Sequence, residues 1–283
     1  MTQKEYVMRI VADSSCDLID ELKERMDITL VPLTITVGDK HFKDDESLDV
    51  DQMLRAIEGS EEVPRSACPS PQDFMNAFME KGSVFVVTLT AALSGTYNSA
   101  ILAKDLFLQE QQEKFIHIFD SKGSSVKETL IALKVNELIR AGLSEHDIVS
   151  EVNTYIEKMK YFFQLGSLDI MIKNGRISKF KGIIGGVLNI KPILYATPSG
   201  EAELFENVRS EKRSVKRLVE IVGEQCHDFS DRILAISHCY APEKAEKLKQ
   251  EIEERYNFKE VFIVPTRGLT SLYTSRGGIT IAF

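Results

Sequence analysis

Three short clusters put hydroxyls and an arginine where an anion could be held. Leu93-Ser94-Gly95-Thr96-Tyr97 follows the apolar run Val84-Phe85-Val86-Val87 and opens a helical pattern. Backbone N–H groups at a helix N-terminus lack intrahelical partners and carry partial positive charge. Joined by the hydroxyls of Ser94 and Thr96, with Gly95 between them, they form an anion site. The other reading of the same turn is a helix cap supplied by Ser94. In Pro64-Arg65-Ser66-Ala67-Cys68-Pro69-Ser70-Pro71, prolines on both sides stiffen the chain and aim the Ser66 hydroxyl, while Ser70 suits a helix cap. Asn174-Gly175-Arg176-Ile177-Ser178 places an arginine after a turn, beside an apolar stretch from Gly182 to Tyr195. Its guanidinium either pairs with an acidic headgroup or caps a helix C-terminus.

Other chemistry finds less support. His238 ends a strand-like run and could serve as a general base. Paired with Ser94 it would make a stand-alone hydrolase or transferase, yet no nucleophile-elbow or metal motif accompanies it. Asp13-Ser14-Ser15-Cys16-Asp17 follows the first strand, and its side chains are expected to cap the next helix. It carries no GxGxxG fingerprint, and the chain contains no P-loop, so no nucleotide cofactor is expected. The four cysteines, Cys16, Cys68, Cys226 and Cys239, form no CxxC pair and read as reduced thiols of a cytoplasmic protein.

These residues need elements to hold them. Val7–Ala12, Ile28–Val37, Val84–Val87 and Phe115–Phe119 read as strands. Helical patterns lie between them, and two long ones follow, over Val126–Arg140 and through Val149, Val152, Ile156 and Met159. Strands separated by helices imply βαβ units and a mainly parallel sheet. A second set begins at Tyr161-Phe162-Phe163. It continues with a short helix over Leu168–Lys173 and two antiparallel strands joined at Thr197-Pro198-Ser199-Gly200. Helices then run through Val215–Val222 and Ala245–Tyr256, and strands over 232–236, 261–264 and 279–283 complete it. The expected fold is α/β with two closely packed domains, 1–160 with a parallel sheet and 161–283 with a mixed one.

The length of 283 residues suits two domains, and 43% hydrophobic with 28% charged residues is globular composition. A net charge of −8 speaks against sequence-independent nucleic-acid binding. The first residues carry no apolar signal region, and no apolar run approaches the roughly 20 residues that span a bilayer.

Taken in order, Asp13-Ser14-Ser15-Cys16-Asp17-Leu18, the Ser66–Pro71 loop, Leu93-Ser94-Gly95-Thr96-Tyr97, Gly175-Arg176-Ile177-Ser178, Lys191-Pro192-Ile193-Leu194, Ser237-His238 and Gly278–Phe283 resemble the DegV family over essentially the whole chain. The resemblance implies a Rossmann-like domain joined to a second α/β domain, with a long-chain fatty acid buried between or within them. It implies that Ser66 and Ser94 hold the carboxylate, with Gly95, Thr96, Arg176 and Thr274 near the headgroup. It also implies a binding protein that catalyses nothing alone and, in some members, presents the acid to a separate ATP-dependent kinase subunit for acyl phosphate formation. The sequence departs from the pattern in four places. Ser66-Ala67-Cys68 stands for Thr-Ser-Gln, Lys127 and Thr129 stand in a helix start that usually has glycines, Thr274 stands for a histidine, and Arg276 stands for a small residue.

Overall fold

The computed structural model describes residues 7–177 and 190–283. Ser178 and the run Ile183-Ile184-Gly185-Gly186-Val187-Leu188 lie outside the described residues.

Strand β1 (Met8–Asp13) leads through a buried loop to α1 (Asp20–Met26), which turns Leu22 and Met26 inward. Strand β2 (Ile28–Val31) returns parallel to β1, with Ile28 opposite Ile10. The one strand expected over 28–37 is two. Pro32 has no N–H for a ladder, and the chain leaves the sheet there. Strand β3 (Thr34–Val37) belongs instead to a small antiparallel sheet with β4 (Lys40–Lys43) and β5 (Arg65–Ala67), in the order β4-β3-β5. Helix α2 (Val50–Glu58) lies between β4 and β5 in the chain. Helix α3 (Pro71–Phe78) starts on the Ser70–Asp73 capping box with proline in its first turn, and buries Phe74 and Phe78.

The apolar run at 84–87 is the centre of β6 (Ser83–Thr88), buried throughout as a parallel strand with covered faces must be. Helix α4 (Thr96–Glu110), β7 (Ile116–Asp120), α5 (Val126–Arg140) and α6 (Glu145–Lys158) follow. The parallel sheet has the order β2-β1-β6-β7. Its strand order reverses beside β1, so the carboxyl ends of β1 and β6 open the crevice where ligands bind in such sheets.

The remaining elements are β8 (Tyr161–Gln164), α7 (Asp169–Lys173), β9 (Ile190–Ala196), β10 (Ala202–Arg209) and α8 (Glu211–Gln225). After them come β11 (Ile233–His238), α9 (Pro242–Glu253), β12 (Glu260–Pro265), α10 (Gly268–Thr274) and β13 (Ile279–Ala282). Their sheet is mixed, in the order β10-β9-β8-β13-β11-β12. The turn at 197–200 joins antiparallel β9 and β10. One core runs across both large sheets, joining Ile10, Phe85 and Val87 to Phe163, Leu194, Ala235 and Ala282. No helix among the described residues is long and apolar enough to cross a membrane.

The Asp13–Asp17 loop does not cap the next helix. Ile19 stands at the start of α1 and gives no side-chain cap. The carboxylates reach outward instead, to backbone N–H groups and hydroxyls of distant segments. Asp13 accepts from the Leu89 N–H at 2.7 Å, tying the ends of β1 and β6. Asp17 accepts from the Arg267 N–H and the Thr270 hydroxyl, both at 2.7 Å, and from the Ser125 hydroxyl at 2.6 Å. Asp44 accepts from the N–H groups of Gly268 and Leu269 at 2.9 and 2.8 Å, and from the Ser14 hydroxyl. A Cβ on Gly268 would lie 2.3 Å from an Asp44 carboxylate oxygen, so this approach requires glycine. Two loops, those of Asp17 and Asp44, thereby pin the start of α10.

The cluster also stores protons. The Ser15 hydroxyl has one proton and two carboxyl partners, Asp13 at 2.7 Å and Glu128 in a very short contact. One of the two acids must therefore be protonated. Glu128 is the better candidate, because its Oε2 is buried with no hydrogen-bond partner among the described residues and a neutral carbonyl oxygen bears that more cheaply than a carboxylate. Burial pushes Glu128 well above the usual carboxylate range, with Asp13 adding to it. Burial also raises Asp13 to about 6 and Asp17 to about 7, against the pull of their hydrogen bonds.

Groups with raised folded-state pKa values bind more protons folded than unfolded. Stability should therefore fall as pH rises from about 4 through 7. Urea unfolding of Glu128→Gln at pH 5 and pH 7.5 should show a smaller loss between the two than wild type shows.

Candidate functional site

After β6 the chain makes a tight turn, with the N–H groups of Leu93 and Ser94 both donating to the Thr90 carbonyl. Helix α4 then begins at Thr96, with Gly95 before it. Ser94 Oγ pairs with Thr96 Oγ1 at 2.9 Å and accepts from the Thr96 N–H at 3.3 Å. The two readings of this turn are thus both met in part. Ser94 bonds the first N–H of the helix, and it also lies on the wall of a cavity. Thr96 is fully buried behind it.

The small sheet brings Ser66 to the same wall. Strand β5 pairs with β3, with Ser66 opposite Ile35, so the expected loop is a short strand. Ser66 is half-buried, and its hydroxyl meets the Tyr273 hydroxyl of α10 at 2.9 Å. Helix α7 supplies the arginine. The N–H groups of Gly175 and Arg176 fold back onto the carbonyls of Ile172 and Met171, closing the helix. Arg176 Nε then donates to the Leu93 carbonyl at 3.2 Å and another guanidinium N–H to Asn174 O. The Asn174 amide donates to Pro64 O at 2.9 Å. Three separate units, carrying Ser66, Ser94 and Arg176, are joined in this way.

The cavity they share has a volume of about 290 Å³, near the lower end for ligand pockets. Ser66, Ser94, Gly95, Arg176 and Thr274 line it together, with Ala67 and Cys68 beside them. Most of the remaining wall is apolar, with Leu33, Leu89, Phe163, Leu165, Met171 and Leu269 prominent. Tyr161, Thr270, Tyr273 and Thr280 add hydroxyls.

Several of these wall residues were not singled out in the sequence. Helix α10 is short and carries no strong apolar period, though Thr270 and Thr274 share one face at i and i+4. In β8, alternation sends Tyr161 and Phe163 toward the cavity, while Phe162 joins the second core under α8 and α9. His238 does not line the cavity. Its Nδ1 accepts from the Ala241 N–H at 3.2 Å, and burial holds its pKa below the usual histidine range. Among the described residues no base bonds Ser94, so they provide no Ser–His geometry for a hydrolase.

Arg276 follows α10 and reaches across to α2. It pairs with Asp51 at 2.5 Å and Glu58 at 2.8 Å, and its guanidinium lies 4.3 Å from the centre of the Tyr240 ring. Two ion pairs hold α2 to the end of α10, and the Tyr240 ring after β11 covers the guanidinium.

The DegV family model, described as an uncharacterised protein family, matches residues 7–283. A DegV domain-containing protein of Streptococcus pneumoniae is 35% identical over 277 residues, covering 97% of this chain and 98% of its own. A DegV family protein of Ruminococcus gnavus, solved with vaccenic acid, is 37% identical, with a TM-score of 0.94 over 98% of this chain and 99% of its own. The fatty acid kinase B3 protein of Streptococcus pneumoniae, solved with linoleic acid, is 34% identical, with a TM-score of 0.89 over 98% and 99%.

Arg276→Ala should lower stability by about 1 kcal/mol in dilute buffer, in keeping with a half-exposed network. The loss should shrink in 1 M salt, and urea titrations at both salt levels check it.

Proposed function

Because the chain belongs to the DegV family, we propose that it binds a long-chain fatty acid and catalyses no reaction alone. The convergence of Ser66, Ser94, Gly95, Arg176 and Thr274 on one otherwise mainly apolar cavity carries the reading. The Ser66 and Ser94 hydroxyls donate to the carboxylate, Arg176 supplies positive charge beside them, and Thr96 orients Ser94 from behind. Ser66 and Ser94 keep their partners in doing so, with Tyr273 and Thr96 as the donors of those pairs and each serine proton left for the carboxylate. The acyl chain lies along Leu89, Phe163 and Leu269. The division at 160/161 follows from the same reading. Residues 1–160 carry the two hydroxyls, and residues 161–283 carry the arginine and much of the apolar wall.

The magnitudes divide the work. A buried CH₂ contributes about 0.8 kcal/mol, so a dozen methylenes supply roughly 10 kcal/mol of driving force. Hydrogen bonds to a charged group contribute about 1.5–3 kcal/mol each. Chain burial sets affinity, and the hydroxyls set which end enters.

We place the protein in the cytoplasm, a reading supported by four free cysteines, three of them buried. Its likeness to the fatty acid kinase B3 protein favours a further role. The protein would present the carboxylate to a separate kinase subunit that brings its own ATP, and would keep the acyl phosphate. Thr274 offers a hydroxyl where the family resemblance has histidine, so this role is separable from binding.

Calorimetry with delipidated protein should show one saturable site for an eighteen-carbon acid, and at least tenfold weaker binding of the alcohol of equal length. Ser94→Ala should weaken the acid about tenfold or more while the fold stays intact, with only the small thermal loss of one capping bond. An unchanged affinity would reduce Ser94 to a helix cap. Mixing the loaded protein with a kinase subunit and ATP should yield acyl phosphate, and tight acid binding without product would leave a carrier.

A further inference from the structure

A second, larger crevice of about 1160 Å³ opens on the other side of Tyr161 and Ala196, which wall both spaces. It lies between β7 and α6 on one side and β9 and β10 on the other. Its floor holds Lys127, only 4% exposed. The Lys127 stem packs over Gly123, where a Cβ would lie 2.7 Å from Lys127 Cδ and 3.2 Å from the Tyr161 ring. The glycine is what lets the stem pass, and the ammonium ends in the crevice.

That ammonium has three donors and, among the described residues, one acceptor, the Lys122 carbonyl at 3.2 Å. The nearby carboxylate is already occupied. Asp120 pairs with the Lys122 ammonium at 2.7 Å and accepts from the N–H groups of Lys122 and Ala91. No carboxylate among the described residues lies within ion-pair distance of Lys127 or of Lys160, which also lines the crevice. Glu157 stands at its exposed rim. A buried ammonium without a counter-ion is costly. Burial, with help from the charges of Lys122 and Lys160 and against Asp120, lowers the Lys127 pKa to about 8. His117 is held neutral near pH 7, its pKa lowered to about 4 by burial and then by Lys104.

We propose that this crevice is a second ligand site, which takes a phosphate monoester with a planar apolar body. Two ammonium groups without carboxylate partners match the roughly −2 charge and several acceptor oxygens of a phosphate better than the single charge of a carboxylate. The rings of Tyr97, His117, Tyr195 and Phe205 supply flat apolar walls for the body. The proposal does not depend on the fatty-acid reading, because none of the headgroup residues takes part.

The test is thermal unfolding and ³¹P line shifts of the full chain at fixed ionic strength, with phenyl phosphate, inorganic phosphate and benzoate as probes. Phenyl phosphate should stabilise wild type in proportion to the logarithm of its concentration, inorganic phosphate less, and benzoate least. Lys127→Met should weaken phenyl phosphate at least tenfold. Lys160→Gln, on a half-exposed residue, should also weaken it and covers the case in which the core variant does not fold. Absence of any phosphate-dependent stabilisation, or a response in both variants as large as that of wild type, would overturn the site. Equal binding of benzoate would overturn the choice of phosphate, and inorganic phosphate matching phenyl phosphate would overturn the planar body.

Discussion

The carboxylate of Asp17, fully buried at the carboxyl end of β1, is the constraint on which the rest of the site depends. It holds the first backbone N–H before α10, the Thr270 hydroxyl within that helix, and the Ser125 hydroxyl at the start of α5. With Asp17 ionised, Ser125 donates to it, Ser237 donates to Ser125 and Thr280 donates to Ser237, at 2.6–2.8 Å. Thr270 and Thr280 both face the cavity. This carboxylate, together with Asp44 at the first two N–H groups of the helix, therefore sets the position of α10, and with it Tyr273 and Thr274. Removing that acid would leave several donors unpaired in a dry interior, a larger loss than any one surface contact.

Much of this was legible in the residues. The buried strand at 84–87, the helix cap at Ser70, the 126–140 helix and the 197–200 turn follow from apolar period, cap chemistry and turn residues. What local pattern does not carry is long-range hydrogen bonding. Asp17 and Arg267 are 250 positions apart, so no window of sequence relates them. The same holds for Ser66 and Tyr273, 207 positions apart. The small sheet was missed because β3 and β5 are short and because Pro32 interrupts what reads as one strand. The Asp13–Asp17 loop was misread for a related reason. Asp and Ser before a helix usually cap it, and here tertiary demand for acceptors prevailed.

The departures from the family resemblance acquire physical roles. Thr129 donates to the Asp17 carbonyl at 2.6 Å and so stabilises the loop that the carboxylate extends from. Arg276 clamps α2 to α10. Lys127 crosses Gly123 into a separate crevice. Thr274 keeps a hydroxyl on the wall but forgoes a titratable ring. Binding needs orientation and an apolar path, which these substitutions leave in place. Phosphoryl transfer asks for more from the headgroup end, where Thr274 stands in place of the histidine that the resemblance implies.

The central claim is that Ser66 and Ser94 receive one carboxylate while its chain fills the apolar cavity. A crystal structure of the protein saturated with an eighteen-carbon fatty acid tests it most directly. The account predicts carboxylate oxygens within hydrogen-bond distance of both hydroxyls, with chain density running past Leu89, Phe163 and Leu269. A chain bound tail-first, a carboxylate elsewhere, or an empty cavity at saturation would contradict it.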